Sequence, residues 1–157
     1  MKEIKLTQGK VAFVDDEDFE ELNKHSWYAA KNYDRGGYAQ RVDNNRKTLR
    51  MHRVIMKAKK GEMIDHIKGN GLNNQKENLR FCNSQQNCTN RISNKNANSK
   101  YLGVSYHKRD NKFQARITRD RKCKYLGIFT LEIDAAKAYN EAAKKYHGEF
   151  ARLNIIT

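Results

Sequence analysis

Apolar and polar positions alternate with different periods along the chain. Residues 4–14 alternate loosely, which predicts one or two short strands. Asp15, Asp16, Glu17 and Asp18 precede the run Phe19-Glu20-Glu21-Leu22. Acidic side chains complement the positive end of a helix dipole, so a short helix is predicted at 16–24. Residues 27–30 and 37–42 read as strands, with Tyr33-Asp34-Arg35-Gly36-Gly37 as the hairpin turn between them. Residues 48–51 add a strand. Residues 52–59 read as a helix with Val54, Ile55 and Ala58 as its apolar stripe. Residues 63–66 form a short strand, and an Asn- and Gly-rich loop follows at 68–74. A second strand spans 77–82, and Ser84 caps a helix running to about Ile92.

The tract Ser93-Asn94-Lys95-Asn96-Ala97-Asn98-Ser99 has no hydrophobic anchor and reads as a linker. Beyond it the pattern sharpens. Residues 101–106 form one strand, 112–118 alternate strictly as a second, and 122–129 make a third. In the second strand Phe113, Ala115 and Ile117 share one face, and Gln114, Arg116 and Thr118 the other. Thr130 is placed to cap a helix with Glu132 and Asp134 in its first turn. Its apolar residues Leu131, Ala135, Ala138, Tyr139, Ala142, Ala143 and Tyr146 recur at helical spacing, and Gly148 ends it. The fold class is therefore α+β. Its second half is a three-stranded antiparallel sheet packed on one helix, with the polar sheet face left uncovered.

Charge narrows the function. The 157 residues carry 32 Lys and Arg against 18 Asp and Glu, a formal net charge of +14, which favours polyanionic partners. Residues 101–130 hold 8 basic side chains against Asp110 and Asp120. A basic sheet points to nucleic acid, whereas membranes attract basic amphipathic helices. No apolar run is long enough to cross a membrane, and the N-terminus holds no apolar core of the signal-peptide kind. Cys82, Cys88 and Cys123 are three in number and none lies in a C-x-x-C pair. Free thiols, a reducing cytoplasmic location and no structural zinc are expected.

Asp65 and His66 stand together at a strand end, with Asn78 and Asn87 downstream. Phosphodiester hydrolysis needs a nucleophile, a base to deprotonate it, and positive charge near the phosphate. A carboxylate and an amide oxygen suit a hard cation such as Mg²⁺ or Mn²⁺, one per site. Neutral imidazole suits the base. Asp65 and Asn87 would hold the metal, His66 would activate water, and Asn78 would tie the long loop across itself. The plainer reading is a solvated, Asn-rich turn.

The segments Ile64-Asp65-His66-Ile67-Lys68-Gly69-Asn70, Asn73-Asn74, Glu77-Asn78-Leu79-Arg80 and Gln86-Asn87 together resemble the HNH homing endonucleases of phages and group I introns. Met51-His52-Arg53-Val54-Ile55-Met56 and Leu6-Thr7-x-Gly9-Lys10 fit the same family, so the resemblance covers residues 4–92. It implies a ββα-metal fold. It carries the base role onto His66, metal binding onto Asp65 and Asn87, and loop bracing onto Asn78. His52 is either a contact to the scissile phosphate or a packed histidine at a helix start. The resemblance also implies a phage-encoded protein acting in the cytoplasm of a bacterial host.

The uncovered sheet face can lie in a DNA major groove, where Arg reads guanine and Gln reads adenine. The candidates are Ser105, His107, Arg109, Gln114, Arg116, Thr118 and Tyr125, with Lys112, Arg121, Lys122 and Lys124 for phosphates. A solvated basic sheet is the alternative. The segments Tyr101-x-Gly103-Val104, Lys112-Phe113-x-Ala115-x-Ile117, Tyr125-Leu126-Gly127-x-Phe129, Ala135-Ala136-x-Ala138-Tyr139 and Gly148-x-x-Ala151-x-Leu153-Asn154 resemble the Apetala-two/ethylene-response-factor DNA-binding domain. That resemblance implies major-groove binding by the sheet. Leu102, Ser105 and His107 stand where the plant domains often have Arg, and Arg109 where they often have Trp. The plant target sequence is therefore not carried over.

The expected organisation is a nuclease domain at 1–93, a linker at 94–99 and a DNA-binding domain at 100–157. The expected activity is metal-dependent, site-selective cleavage of double-stranded DNA by a monomer, with one active site nicking one strand. The competing readings are a DNA-binding regulator with a non-catalytic HNH-like scaffold, and an RNA-binding protein. The chain lacks the aromatic RNP pattern and GXXG loop of common RNA modules.

Overall fold

The computed structural model describes residues 1–30, 37–90 and 98–156. It contains four small antiparallel sheets and four α-helices among those residues, an α+β architecture. Two compact units divide between Ser84 and Gln85. Residues 33–36 of the expected turn, the expected helix end at 91–92 and residues 94–97 of the expected linker lie outside the described residues. No helix among the described residues is long and apolar enough to cross a membrane.

In the first unit β1 (Lys2–Lys5) pairs with β2 (Val11–Val14), and α1 (Asp16–Asn23) follows with its acidic first turn. Strands β3 (Tyr28–Ala29), β4 (Ala39–Val42) and β5 (Thr48–Arg50) form a second sheet that leads into α2 (Met51–Ile55). Trp27, Ile4, Met51 and Val14 are the largest fully buried apolar side chains of its core. A hairpin of β6 (Met63–His66) and β7 (Leu79–Cys82) completes the unit.

Several boundaries differ from the periodicity reading. Helix α2 stops at Ile55 rather than near residue 59, because Lys57 takes a left-handed φ of 49°. The Arg53 guanidinium holds the end of that turn by donating to the carbonyls of Ala58, Lys59 and Glu62. The buried side chains of α2 are Met51, His52 and Ile55; Val54 is exposed. Residues Lys76–Asn78 form a 3₁₀ turn before β7 begins at Leu79. Helix α3 (Ser84–Thr89) takes Ser84 as its first residue, so Ser84 does not stand before it as a cap.

In the second unit β8 (Val104–His107), β9 (Lys112–Arg119) and β10 (Lys122–Phe129) lie in the order β10-β9-β8, all antiparallel. Helix α4 (Glu132–His147) packs on one face through Ala135, Ala136, Tyr139, Ala142 and Ala143. Short alanines let helix and sheet approach closely. Gly103 is needed for that approach: its φ is +69°, and a Cβ there would lie 2.1 Å from the Tyr139 ring. The N-cap of α4 is Leu131, extended and 61% exposed, so Thr130 is not the cap and Leu131 is not part of the buried stripe. Gly148 stands at the C-cap. Asn154 ties the C-terminal segment down. Its Oδ1 accepts from the Leu102 N–H at 2.7 Å, and its backbone N–H donates to Asn140 Oδ1 at 2.7 Å.

Candidate active site and nucleic-acid surface

The loop between β6 and β7 is docked on the protein. The Phe13 N–H donates to the Leu72 carbonyl at 2.9 Å, and the Asn74 N–H donates to the Phe13 carbonyl at 2.7 Å. Asn78 is fully buried and braces the same loop. Its Nδ2 donates to the Asn73 carbonyl at 2.7 Å, its Oδ1 accepts from the Lys68 N–H at 2.9 Å, and its carbonyl accepts from the Ile67 N–H at 2.9 Å. The solvated, Asn-rich turn is overturned by these bonds: buried amides of matched donors and acceptors make this loop a rigid insert.

At the end of β6, Asp65 and His66 are 7% and 5% exposed. The Asp65 carboxylate accepts from Arg80 Nη2 at 2.9 Å and Nε at 3.2 Å through Oδ2. His66 Nε2 lies 3.3 Å from Asn74 Oδ1. The amide of Asn74 is oriented independently, because its Nδ2 donates to the Leu72 carbonyl at 3.1 Å. A carbonyl only accepts, so the amide oxygen faces His66 and Nε2 carries the ring proton. The basic nitrogen of neutral His66 is then Nδ1.

Two rings hold this imidazole. Tyr38 stacks on His66 with centroids 5.5 Å apart and 29° between planes. His52 meets His66 edge-on at 4.9 Å and Tyr38 at 5.2 Å. Gly71 makes room for Tyr38, since a Cβ there would lie 2.8 Å from the Tyr38 ring. Burial pushes the His52 imidazole down to about 3, helped by the charges of His66, Arg50 and Arg53. Burial also lowers His66, against the opposing effects of the Asn74 hydrogen bond and the Asp65 charge. Both rings are therefore neutral near pH 7. His52 is 4% exposed, and its Nδ1 has no hydrogen-bond partner among the described residues.

No role for Tyr38 or Asn74 was read from the sequence, where Asn74 appears only within the Asn73-Asn74 motif. Tyr38 lies just before β4, in a stretch whose alternation says only that it has two faces. What marks Asn74 within its motif is its docking against β2. Asn87 lies on α3, within the second compact unit. The donors expected to hold a cation, a carboxylate and an amide oxygen, are of the kind a hard divalent ion takes. Among the described residues there is no cluster of three or more His, Cys, Asp or Glu side chains that could hold a metal, and none of the three cysteines is in a disulfide.

In the second unit the ladder sorts the candidate residues by face. Ser105 pairs with Gln114, His107 with Lys112, Tyr125 with Arg116, and Thr118 with Cys123, all on the face away from α4. Tyr125 there is 54% exposed. Arg109 lies in the turn before β9, with its side chain 90% exposed, and Arg121 lies in the turn after it at φ 61°. Lys124 pairs with Ile117, and Lys122 with Arg119, so both lie in the register of the helix-facing side. They do not share the face of Arg116, because side-chain direction alternates along a strand.

Over nearly its whole length the chain is similar to an HNH endonuclease of Acanthamoeba polyphaga mimivirus, itself uncharacterized. The two are 30% identical over 155 residues, spanning 95% of this chain and 77% of that protein. The chain belongs to the HNH endonuclease family. A second similarity, to an AP2-like ethylene-responsive transcription factor of Arabidopsis thaliana, reaches 44% identity over 61 residues. It covers 38% of this HNH chain and 10% of the plant protein. No protein-family model matches the chain.

Proposed function

We propose that this HNH protein is a metal-dependent, site-selective DNA endonuclease whose second unit supplies the address. The observation that carries the reading is the state of His66: neutral, buried, clamped between rings, and directed by Asn74 to keep its basic nitrogen at Nδ1. In this role His66 takes the proton of an attacking water as the new P–O bond forms and the bond to a sugar oxygen breaks. Asp65 and, from the sequence, Asn87 would hold Mg²⁺ or Mn²⁺, which supplies charge stabilisation at the phosphate and the leaving oxygen. Asn78 keeps the loop beside His66 in place. The outer sheet face would read duplex DNA, with Arg116 and Gln114 toward bases and Lys112 toward phosphates. Linking two modules on one chain raises the effective concentration of each at the DNA.

The non-catalytic regulator is favoured by one observation, the ion pair that places Arg80 on the Asp65 carboxylate. The deciding experiment incubates supercoiled plasmid carrying a bound target with the protein, with and without Mg²⁺ or Mn²⁺, beside a His66→Ala variant. Metal-dependent nicking that falls about 10²-fold or more in the variant supports the endonuclease. Binding with no cleavage under either metal selects the regulator.

A further inference from the structure

We propose that the helix-facing end of the β9–β10 hairpin, centred on Tyr146, is a second surface for the phosphates of duplex DNA, separate from the outer sheet face. The inference rests on the DNA-binding reading above and adds a second contact to it. The helix-facing register of β9 runs Phe113, Ala115 and Ile117, and then turns cationic at Arg119. Across the ladder Arg119 stands opposite Lys122, and Ile117 opposite Lys124.

Tyr146, in the last turn of α4, gathers this charge around its ring. Lys124 Nζ lies 4.8 Å from the ring centroid, the Arg119 guanidinium 5.6 Å, and Lys145 Nζ 5.8 Å. Lys124 also donates to the Tyr146 hydroxyl. That hydrogen bond, with the charges of Lys124, Lys145 and Arg119, holds the hydroxyl below the usual tyrosine range. The last turn of α4 also carries Lys144 and His147.

The helix dipole accounts for Lys144 and Lys145 at a C-terminus. It does not account for the strand residues. Like charges directly opposite on neighbouring strands destabilise a sheet, and Arg119 faces Lys122 in that way. Among the described residues, the ion pair of Arg119 with Asp120 at 3.3 Å is the one this strand group makes; Lys122 and Lys124 make none. A row of cations assembled at a cost in the free protein is stabilised when phosphates arrive and counterions leave. Phosphate oxygens accept from lysine and arginine alike and present no base edge, which suits flexible, exposed ammonium groups. Because this register points opposite to Arg116, one straight duplex lying on the outer face does not also cover it.

The test uses the full chain in EDTA, with a duplex fixed to beads and a second, labelled duplex in solution. The wild type is expected to retain the labelled duplex on the beads. Arg119→Gln with Lys145→Glu should lower that capture at least about fivefold, while affinity for one duplex in solution changes less than about twofold. Lys60→Gln with Lys137→Glu removes the same charge elsewhere and should capture as wild type does. Circular dichroism checks that each variant is folded. Capture unchanged in the Arg119/Lys145 variant overturns the proposal, as does an equal fall in capture and in single-duplex affinity. Stronger capture of a labelled single-stranded RNA than of the duplex also overturns it. Failure of the wild type to bind even one duplex sinks the underlying DNA-binding reading, and this inference with it.

Discussion

His52 and His66 occupy the same ring cluster, yet chemistry separates them. His52 is buried, neutral and without a hydrogen-bond partner on Nδ1 among the described residues, whereas His66 has its tautomer set by Asn74. Replacing Asn74 by Leu, of similar volume, removes the acceptor that Asn74 Oδ1 offers to Nε2. Nicking is expected to fall about 10²-fold, and imidazole ¹⁵N shifts should report mixed tautomers; wild-type shifts would refute the assignment. His52 also predicts a pH dependence. Its value in the folded protein, about 3, lies below the ordinary 6.5, so between those values the unfolded chain binds the proton and the folded chain does not. Stability is therefore full above about pH 6.5 and declines as pH falls toward 3, by up to about 1.4 kcal/mol per pH unit. Urea midpoints across pH 4–7 should show a shallower decline for His52→Phe. On the outer sheet face, Arg116→Ala should alter base preference at one position. Lys112→Ala should weaken binding to all sequences and reduce the salt slope by about 1.

At the scale of elements, the second unit depends on how closely α4 lies on its sheet. Gly103→Ala forces a left-handed non-glycine and drives a Cβ into the Tyr139 ring and to 2.5 Å from the Arg116 carbonyl. A loss of about 2–4 kcal/mol is expected, read as a lower thermal midpoint of the second unit. The strands and α4 were legible in the sequence because strict alternation at 112–118 and small residues at helical spacing report burial directly. The length of α2 was not. Residues 52–59 have a helical pattern, but the left-handed turn at Lys57 and the carbonyls bound by Arg53 end the helix after Ile55. Tertiary hydrogen bonds overrode propensity there.

For the molecule as a whole, a net charge of +14 and two compact units joined in one chain favour binding that weakens steeply with salt. One His66 per chain predicts nicked circles accumulating before linear plasmid. Linear product formed without a nicked intermediate would require two sites acting together.

The sequence by itself determined the central pair of the candidate site and the faces of the second sheet. Asp65 and His66 are neighbours in the chain, and period-two alternation fixes which side chains share a face regardless of what packs on them. Only the tertiary structure decided which residues surround that candidate pair. Asn74 and Tyr38 meet His66, and Gly71 leaves room for Tyr38, because the β6–β7 loop docks on β2 and the residue just before β4 is Tyr38. Such contacts depend on chain segments far apart in sequence, so no local pattern encodes them.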